Sequence, residues 1–196
     1  ALSGIFDINF RTGNNEKREY SFSAGIIGID FTAEGPFSKD NNGSYLLNYR
    51  YSSIDLIEKS GISDFGGVPR YQDVSFKVDL STEKFGKFSV FGLGGISHIF
   101  IEDKDEDEDI LYGEDDMFAN LGVIGVNHSY IINEKSYIKS YVSASTDESG
   151  YTQKTRGVDG QMFNAYSENY REGILKISSS YHNKLNSKNK IKTGFI

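Results

Sequence analysis

The chain contains no cysteine and no tryptophan, and only 2 of its 196 residues are proline. Without cysteine there are no disulfides and no thiolate metal sites, while the cellular compartment is left open. Its 21 Lys and Arg form no basic run, and the net charge is −7. Phosphate binding needs clustered cations, so a nucleic-acid partner is excluded. No apolar run approaches the roughly 18 residues of a membrane-spanning helix. A helical membrane protein is thereby excluded, but a β-barrel is not, because only alternate residues of a crossing strand need be apolar. Ala1-Leu2-Ser3-Gly4 offers neither the charged start nor the apolar segment of a signal peptide, so either a leader has been removed or the chain begins inside a longer protein.

What is abundant points to β structure. Aromatics reach 14%, as 13 Tyr and 14 Phe, beside 21 Gly and 25% charged residues. Tyr and Phe fit pleated surfaces, and a chain of this size is expected to form one domain.

The plainest pattern is a hairpin from Ile27 to Ser53. Ile27, Ile29, Phe31 and Ala33 alternate with Gly28, Asp30, Thr32 and Glu34. A turn over 35–43 follows, and Tyr45, Leu47, Tyr49 and Tyr51 then share one face. Period-two alternation marks strands with two different environments. The same rhythm predicts strands at Ile5–Arg11, Glu19–Ala24, Asp73–Ser81, Phe88–Ile101, Met117–Ile132, Tyr137–Thr146, Tyr170–His182 and Lys190–Ile196. In the clearest of these, Val74, Phe76, Val78 and Leu80 alternate with polar residues without exception.

The connections alternate in length. Those at 35–43, 82–87, 133–136 and 183–189 are short or moderate; those at 54–71, 102–116 and 147–169 are long. In an up-and-down antiparallel sheet this puts the long loops at one end and the short turns at the other, as in an outer-membrane barrel. About nine strands follow Glu19, with one more before them; since bacterial barrels normally have an even number, the chain is expected to be a segment of a larger barrel.

These residues resemble the TonB-dependent outer-membrane receptors of Gram-negative bacteria. The stretch Ala1–Gly13 is similar to the closing strand of that family's plug domain, and Glu34-Gly35-Pro36-Phe37 is similar to the Gly-Pro ending before its first periplasmic turn. The resemblance implies the last strand of a plug over residues 1–15 and the first roughly nine strands of a 22-stranded transmembrane barrel over 16–196. It also implies energy-coupled import of a scarce nutrient such as a siderophore, cobalamin or a glycan. The partners implied are outer-membrane lipid, TonB through a segment outside this chain, a small nutrient ligand and a surface lipoprotein.

Catalytic and metal chemistry finds little support. The acidic run Glu102–Asp109 places Asp103, Asp105 and Asp107 at the first, third and fifth positions of a calcium loop, with Glu114 at the twelfth. Glu108 stands where such a loop needs glycine, and no helices flank it, so a solvated acidic loop is the favoured reading, with Ca2+ as the only cofactor to consider. His98, His128 and His182 fall on different strands, with His98 and His128 expected near opposite ends, and make no metal set. Gly95-Ile96-Ser97-His98 lacks the second glycine of a nucleophile elbow, and no helix follows Gly92-Leu93-Gly94 as a dinucleotide loop requires. Scattered carboxylates have no fixed separation. No enzyme is expected. Tyr20, Tyr45, Tyr49, Tyr51, Tyr137 and Tyr181 lie where aromatic girdles would put them. Alternation does not say which face is wet, so a complete eight-stranded barrel and a soluble β-sandwich of adhesin type stand as alternatives.

Overall fold

The structure, a computed structural model, describes residues 9–25, 28–37, 43–54, 57, 60, 67, 69–105 and 110–196. It is a single antiparallel sheet of nine strands in chain order, not closed on itself. The strands are β1 (Glu19–Ala24), β2 (Gly28–Pro36), β3 (Ser44–Ser52), β4 (Arg70–Thr82), β5 (Gly86–Asp105), β6 (Ile110–Asn133), β7 (Ser136–Arg156), β8 (Met162–Lys184) and β9 (Lys190–Phe195). Every predicted strand from Glu19 onward is present. The expected first strand is not observed where it can be seen, because Asn9 to Arg11 lie outside any strand; the rest of that segment falls outside the described residues.

The main correction concerns the long loops. The segments 102–116 and 147–169 are mostly strand, since β5 runs on to Asp105, β6 begins at Ile110, β7 reaches Arg156 and β8 begins at Met162. Their residues are mostly polar on both faces, which hides the strand period from a hydrophobic reading. The backbone ladder nonetheless continues in register, for example at Asp115↔Gln153 and Gly150↔Asn169. The asymmetry of the two ends is therefore one of strand height. β1 to β3 have 6, 9 and 9 residues, whereas β5 to β8 have 20, 24, 21 and 23. At about 3.3 Å per residue the longest of these spans roughly 80 Å. In the connection expected at 54–71, Ile54 and Ile57 have helical backbone.

Register assigns every strand residue to one of two faces. One row crosses the sheet as Phe22, Phe31, Tyr49, Val74, Gly94, Gly122, Thr146 and Gly173. On this apolar face Tyr45, Leu47, Phe76, Val78, Phe88, Val90, Ile124, Val126, Ile138, Val142, Leu175 and Ile177 form a band. On β5 the band runs from Phe88 to Ile96, matching the roughly nine to eleven tilted residues that cross a hydrocarbon core. Above it the same face turns mainly to polar residues, among them Glu114, Asp116, Asn120, Glu148, Thr152, Lys154, Ser167, Asn169 and Arg171, with Phe100, Phe118 and Met162 as apolar exceptions.

The opposite face carries Asp30, Thr32, Glu34, Asn48, Arg50, Asp73, Ser75, Lys77, Asp79, Ser89, Asn127, Lys139, Ser143, Lys176 and Ser178 at the height of the band. Apart from Pro36 and a few glycines, Ala33 is the one buried apolar residue among those described, at 7% exposure, whereas Ser44, Ser52, Asp79, Ser89, Ser136 and Ser178 are buried. Burial has been reversed relative to a water-soluble fold, where large aliphatic side chains fill the interior. The band stands open, with Ile124 at 55%, Ile177 at 51% and Leu175 at 69% exposure.

Glycines within the strands are placed to receive rings. Phe76 lies opposite Gly92, Phe91 opposite Gly125 and Phe118 opposite Gly150, and a Cβ at each glycine would collide with that ring. The rings thus lie flat over the neighbouring strand.

Candidate functional site

The described part of the segment before β1 crosses the polar face as a strap. Arg11 donates from both guanidinium nitrogens to the two oxygens of Glu34, at 2.6 Å each, and the Asn14 backbone N–H donates to the same carboxylate at 2.8 Å. This is a bidentate, charge-assisted pair, and its hydrogen bond raises the Arg11 pKa further above its ordinary value. Lys77 Nζ donates to the Phe10 carbonyl at 3.1 Å, and the Phe10 ring meets Phe91 at 6.2 Å between centroids. Phe91, Leu93 and Val123 form an apolar island on this face, and Phe10 covers part of it. Gly13 presses against the Tyr45 carbonyl, leaving no room for a Cβ. Beneath the strap, Ser89 Oγ donates to Asp79 Oδ1 at 2.8 Å, and Lys77 and Lys87 lie 3.4 and 3.6 Å from the same carboxylate.

A second feature of the polar face lies high on β6 to β8, in four successive rows. They read Asp115–Gln153–Tyr166, Met117–Tyr151–Glu168, Ala119–Ser149–Tyr170 and Leu121–Asp147–Glu172. Each tyrosine hydroxyl donates to a carboxylate: Tyr151 to Asp115 at 2.6 Å, Tyr166 to Glu168 at 2.6 Å and Tyr170 to Glu172 at 3.0 Å. Those carboxylates raise all three phenol pKa values, since ionising the hydroxyl would remove the hydrogen bond and set two anions together. The rings of Tyr151 and Tyr166 are 5.9 Å apart, tilted by 45°. Sequence reasoning missed this wall because it read 147–169 as a loop. The signal was a polar period of two, in which Tyr166, Glu168, Tyr170 and Glu172 alternate with Ser167, Asn169 and Arg171.

The residues singled out for calcium are placed apart. Asp103 pairs with Gly113 and Glu102 with Glu114, so Asp103 and Glu114 project from opposite faces. Glu114 accepts from Lys154 Nζ at 2.9 Å. Asp107 and the side chain of Asp105 lie outside the described residues. Among the described residues no group of three His, Asp or Glu is arranged to hold a metal ion.

The three histidines are held separately. His98 Nε2 lies 2.8 Å from Asp116 Oδ1, His128 Nε2 lies 2.7 Å from the Phe85 carbonyl, and His182 stacks on Tyr137 at 4.5 Å. His128 pairs with Phe88, ten residues along β5 from His98, so the first two are about 33 Å apart along the strand. Ser97 lies on β5 and not at a strand-to-helix turn. No helix among the described residues is long and apolar enough to cross a membrane, which says nothing of crossing by strands. No family model, curated protein or solved structure matches the chain.

Proposed function

We propose that this chain forms part of a β-barrel in the bacterial outer membrane and belongs to a TonB-dependent receptor that imports a scarce small nutrient. The observation that carries the reading is the two-faced sheet. One face presents an apolar band about nine residues tall and then turns mainly polar, while the strands continue and the other face is mainly polar around the island of Phe91, Leu93 and Val123. A lipid layer covers such a band and stops where the side chains change; a wet lumen suits the serines, carboxylates and amines opposite.

A soluble sandwich would need a second layer against the band, and the near absence of buried apolar side chains argues against one. The strap favours a receptor over a simple pore. It runs along the polar face, where a plug joined to the first strand would lie, and is fixed there by Arg11, Phe10 and Asn14. On this reading 1–15 end the plug and 16–196 begin the barrel. The activity is transport and not catalysis, with TonB supplying the energy through a segment outside this chain.

The test is expression of the whole protein in a Gram-negative host, followed by membrane fractionation and electrophoresis with and without heating. The expected result is a heat-modifiable band in the outer membrane that needs detergent for extraction, and ligand uptake that collapses without TonB. Recovery as a folded, water-soluble monomer overturns the membrane reading, and TonB-independent uptake overturns the receptor reading.

A further inference from the structure

The tyrosine wall on β6 to β8 has an unbalanced charge. From Glu172 upward, the acidic side chains that the register puts on the polar face of these strands are Asp115, Asp147, Glu168 and Glu172; the basic residues Lys154, Arg156 and Arg171 fall on the other face. Asp147 and Glu172 stand directly opposite each other across β7 and β8. Like charges at such a pair destabilise a sheet, and Glu172 takes its one side-chain hydrogen bond from Tyr170. The nearest lysine on this face, Lys176, is four residues below Glu172, about 13 Å along the strand.

The rings are exposed as well, Tyr166 at 49% and Tyr170 at 56%. A phenol that donates to a carboxylate keeps an electron-rich ring, and each carboxylate has about four acceptor positions, of which the tyrosine occupies one. Carboxylates and electron-rich ring faces are the two surfaces that hold ammonium and guanidinium groups. Here they alternate along the strands. The opposed pair Asp147 and Glu172 lies at one end, Tyr170 and Tyr151 follow, and Glu168, Tyr166 and Asp115 complete the rows above. From the Asp147 row to the Glu168 row is four residues, again about 13 Å.

We propose that this wall binds a small linear cation carrying two or more amino or guanidinium groups. Asp147 and Glu172 take one charged group, and Glu168 and Asp115 take another. The rings of Tyr151 and Tyr170 line the path between them. The inference rests on the receptor reading and gives its ligand a charge and a shape. The wall begins at the top of the apolar band, where the Asp147–Glu172 row continues through Leu121 to Gly95, and rises from there on the face assigned to the lumen, so a ligand would meet its upper end first.

The experiment is calorimetric titration of the whole protein, purified in detergent from the outer-membrane fraction, with spermine and with tri-arginine, and with Mg2+ at matched ionic strength. Binding of spermine or tri-arginine is expected, and the tighter of the two identifies a polyamine or a peptide as the source. Asp147→Asn with Glu172→Gln is expected to weaken it by about tenfold or more, as loss of charge-assisted hydrogen bonds does. Glu148→Gln, on the opposite face, should leave it unchanged. Membrane-inserted protein that binds neither organic cation, or that binds Mg2+ as tightly, overturns this inference while leaving the receptor reading intact. Failure to reach the membrane overturns the reading beneath it.

Discussion

The two halves of the sheet solve different problems. In the base, β2 and β3 stop within a residue of the level of Ile96, the top of the apolar band, so nearly all of their length carries the band on one face, while the strap crosses the other face at Glu34 and Tyr45. In the tall hairpins β5 to β8 continue well past that level with polar side chains on both faces. The strap covers part of the base, at Glu34, Tyr45, Lys77 and Phe91. The tall part has no cover on either face among the described residues, and is held by its ladder and by cross-strand contacts such as Phe118 over Gly150 and Lys154 with Glu114. The difference teaches that a strand in this protein can continue by backbone pairing where both faces are polar, while the apolar pattern marks only the part that carries the band.

The largest expected effect tests that boundary. Ile177→Arg puts a charge at the middle of the band on β8 and should cost about 2–4 kcal/mol, seen as loss of the heat-modifiable form and of equilibrium stability in vesicles. Ser167→Arg, on the same face of the same strand but far above the band, should cost close to nothing. Equal effects at the two positions would break the division between the height of the band and the polar height above it, and with it the proposed membrane reading.

Next in size is Gly150→Ala. The new methyl meets the Phe118 ring, and overpacking of this kind costs about 1–3 kcal/mol. Because the tall hairpins lack cover, the loss should be local: hydrogen exchange is expected to rise over 147–172 and to stay unchanged in β2 to β4. Gly92→Ala makes the same collision with Phe76 inside the base, and there exchange should rise throughout the neighbouring strands. If Gly150→Ala loosens the base as well, the two halves are one cooperative unit.

How much of this could be read from residues follows the same division. Strands at Asp73–Ser81 and Tyr45–Tyr51 were legible because one of their faces is apolar and the other polar, and β3 and β4 extend only a little past those limits. The upper parts of β5 to β8 were not, because Glu114, Asp116, Thr152, Ser167 and Asn169 face water as Asp115, Gln153 and Glu168 do, and hydrophobicity then has no period. The acidic segment suggested a loop for the same reason. The strap was partly legible: Phe10 and Arg11 were placed on a strand, whereas they serve as an anchor and a clamp, a role that depends on Phe91 and Glu34 far along the chain. The tyrosine wall needed register across three strands, which no single segment contains.

A smaller effect is expected at the strap. Arg11→Ala removes both bonds to Glu34, yet the Arg11 side chain is 60% exposed, so solvent screening discounts the pair to about 1 kcal/mol. The measurement is protease cleavage between Asn14 and Arg18, expected to become faster, with the melting temperature of the sheet little changed. A large drop in melting temperature would mean that the strap supports the base instead of resting on it.

The smallest effect concerns the tall hairpins and appears only at high pH. The hydrogen bond to Glu114, followed by its charge, raises the Lys154 pKa above 10.5. A cation whose folded pKa is raised contributes stability that is fully present below its unfolded pKa and is lost as pH rises through the folded one. The melting temperature of the native protein minus that of Lys154→Gln is therefore expected to be small, positive and constant up to about pH 10, where the unfolded lysine begins to titrate, and to close toward zero above it. Taking the difference removes the tyrosines that titrate in the same range. Because Lys154 joins β7 to β6 above the band, this difference should appear in the exchange of the upper hairpin residues and be absent from that of β2 and β3. A difference that closes near neutral pH instead would assign the effect to another group and remove this pair from the contacts that hold the tall hairpins together.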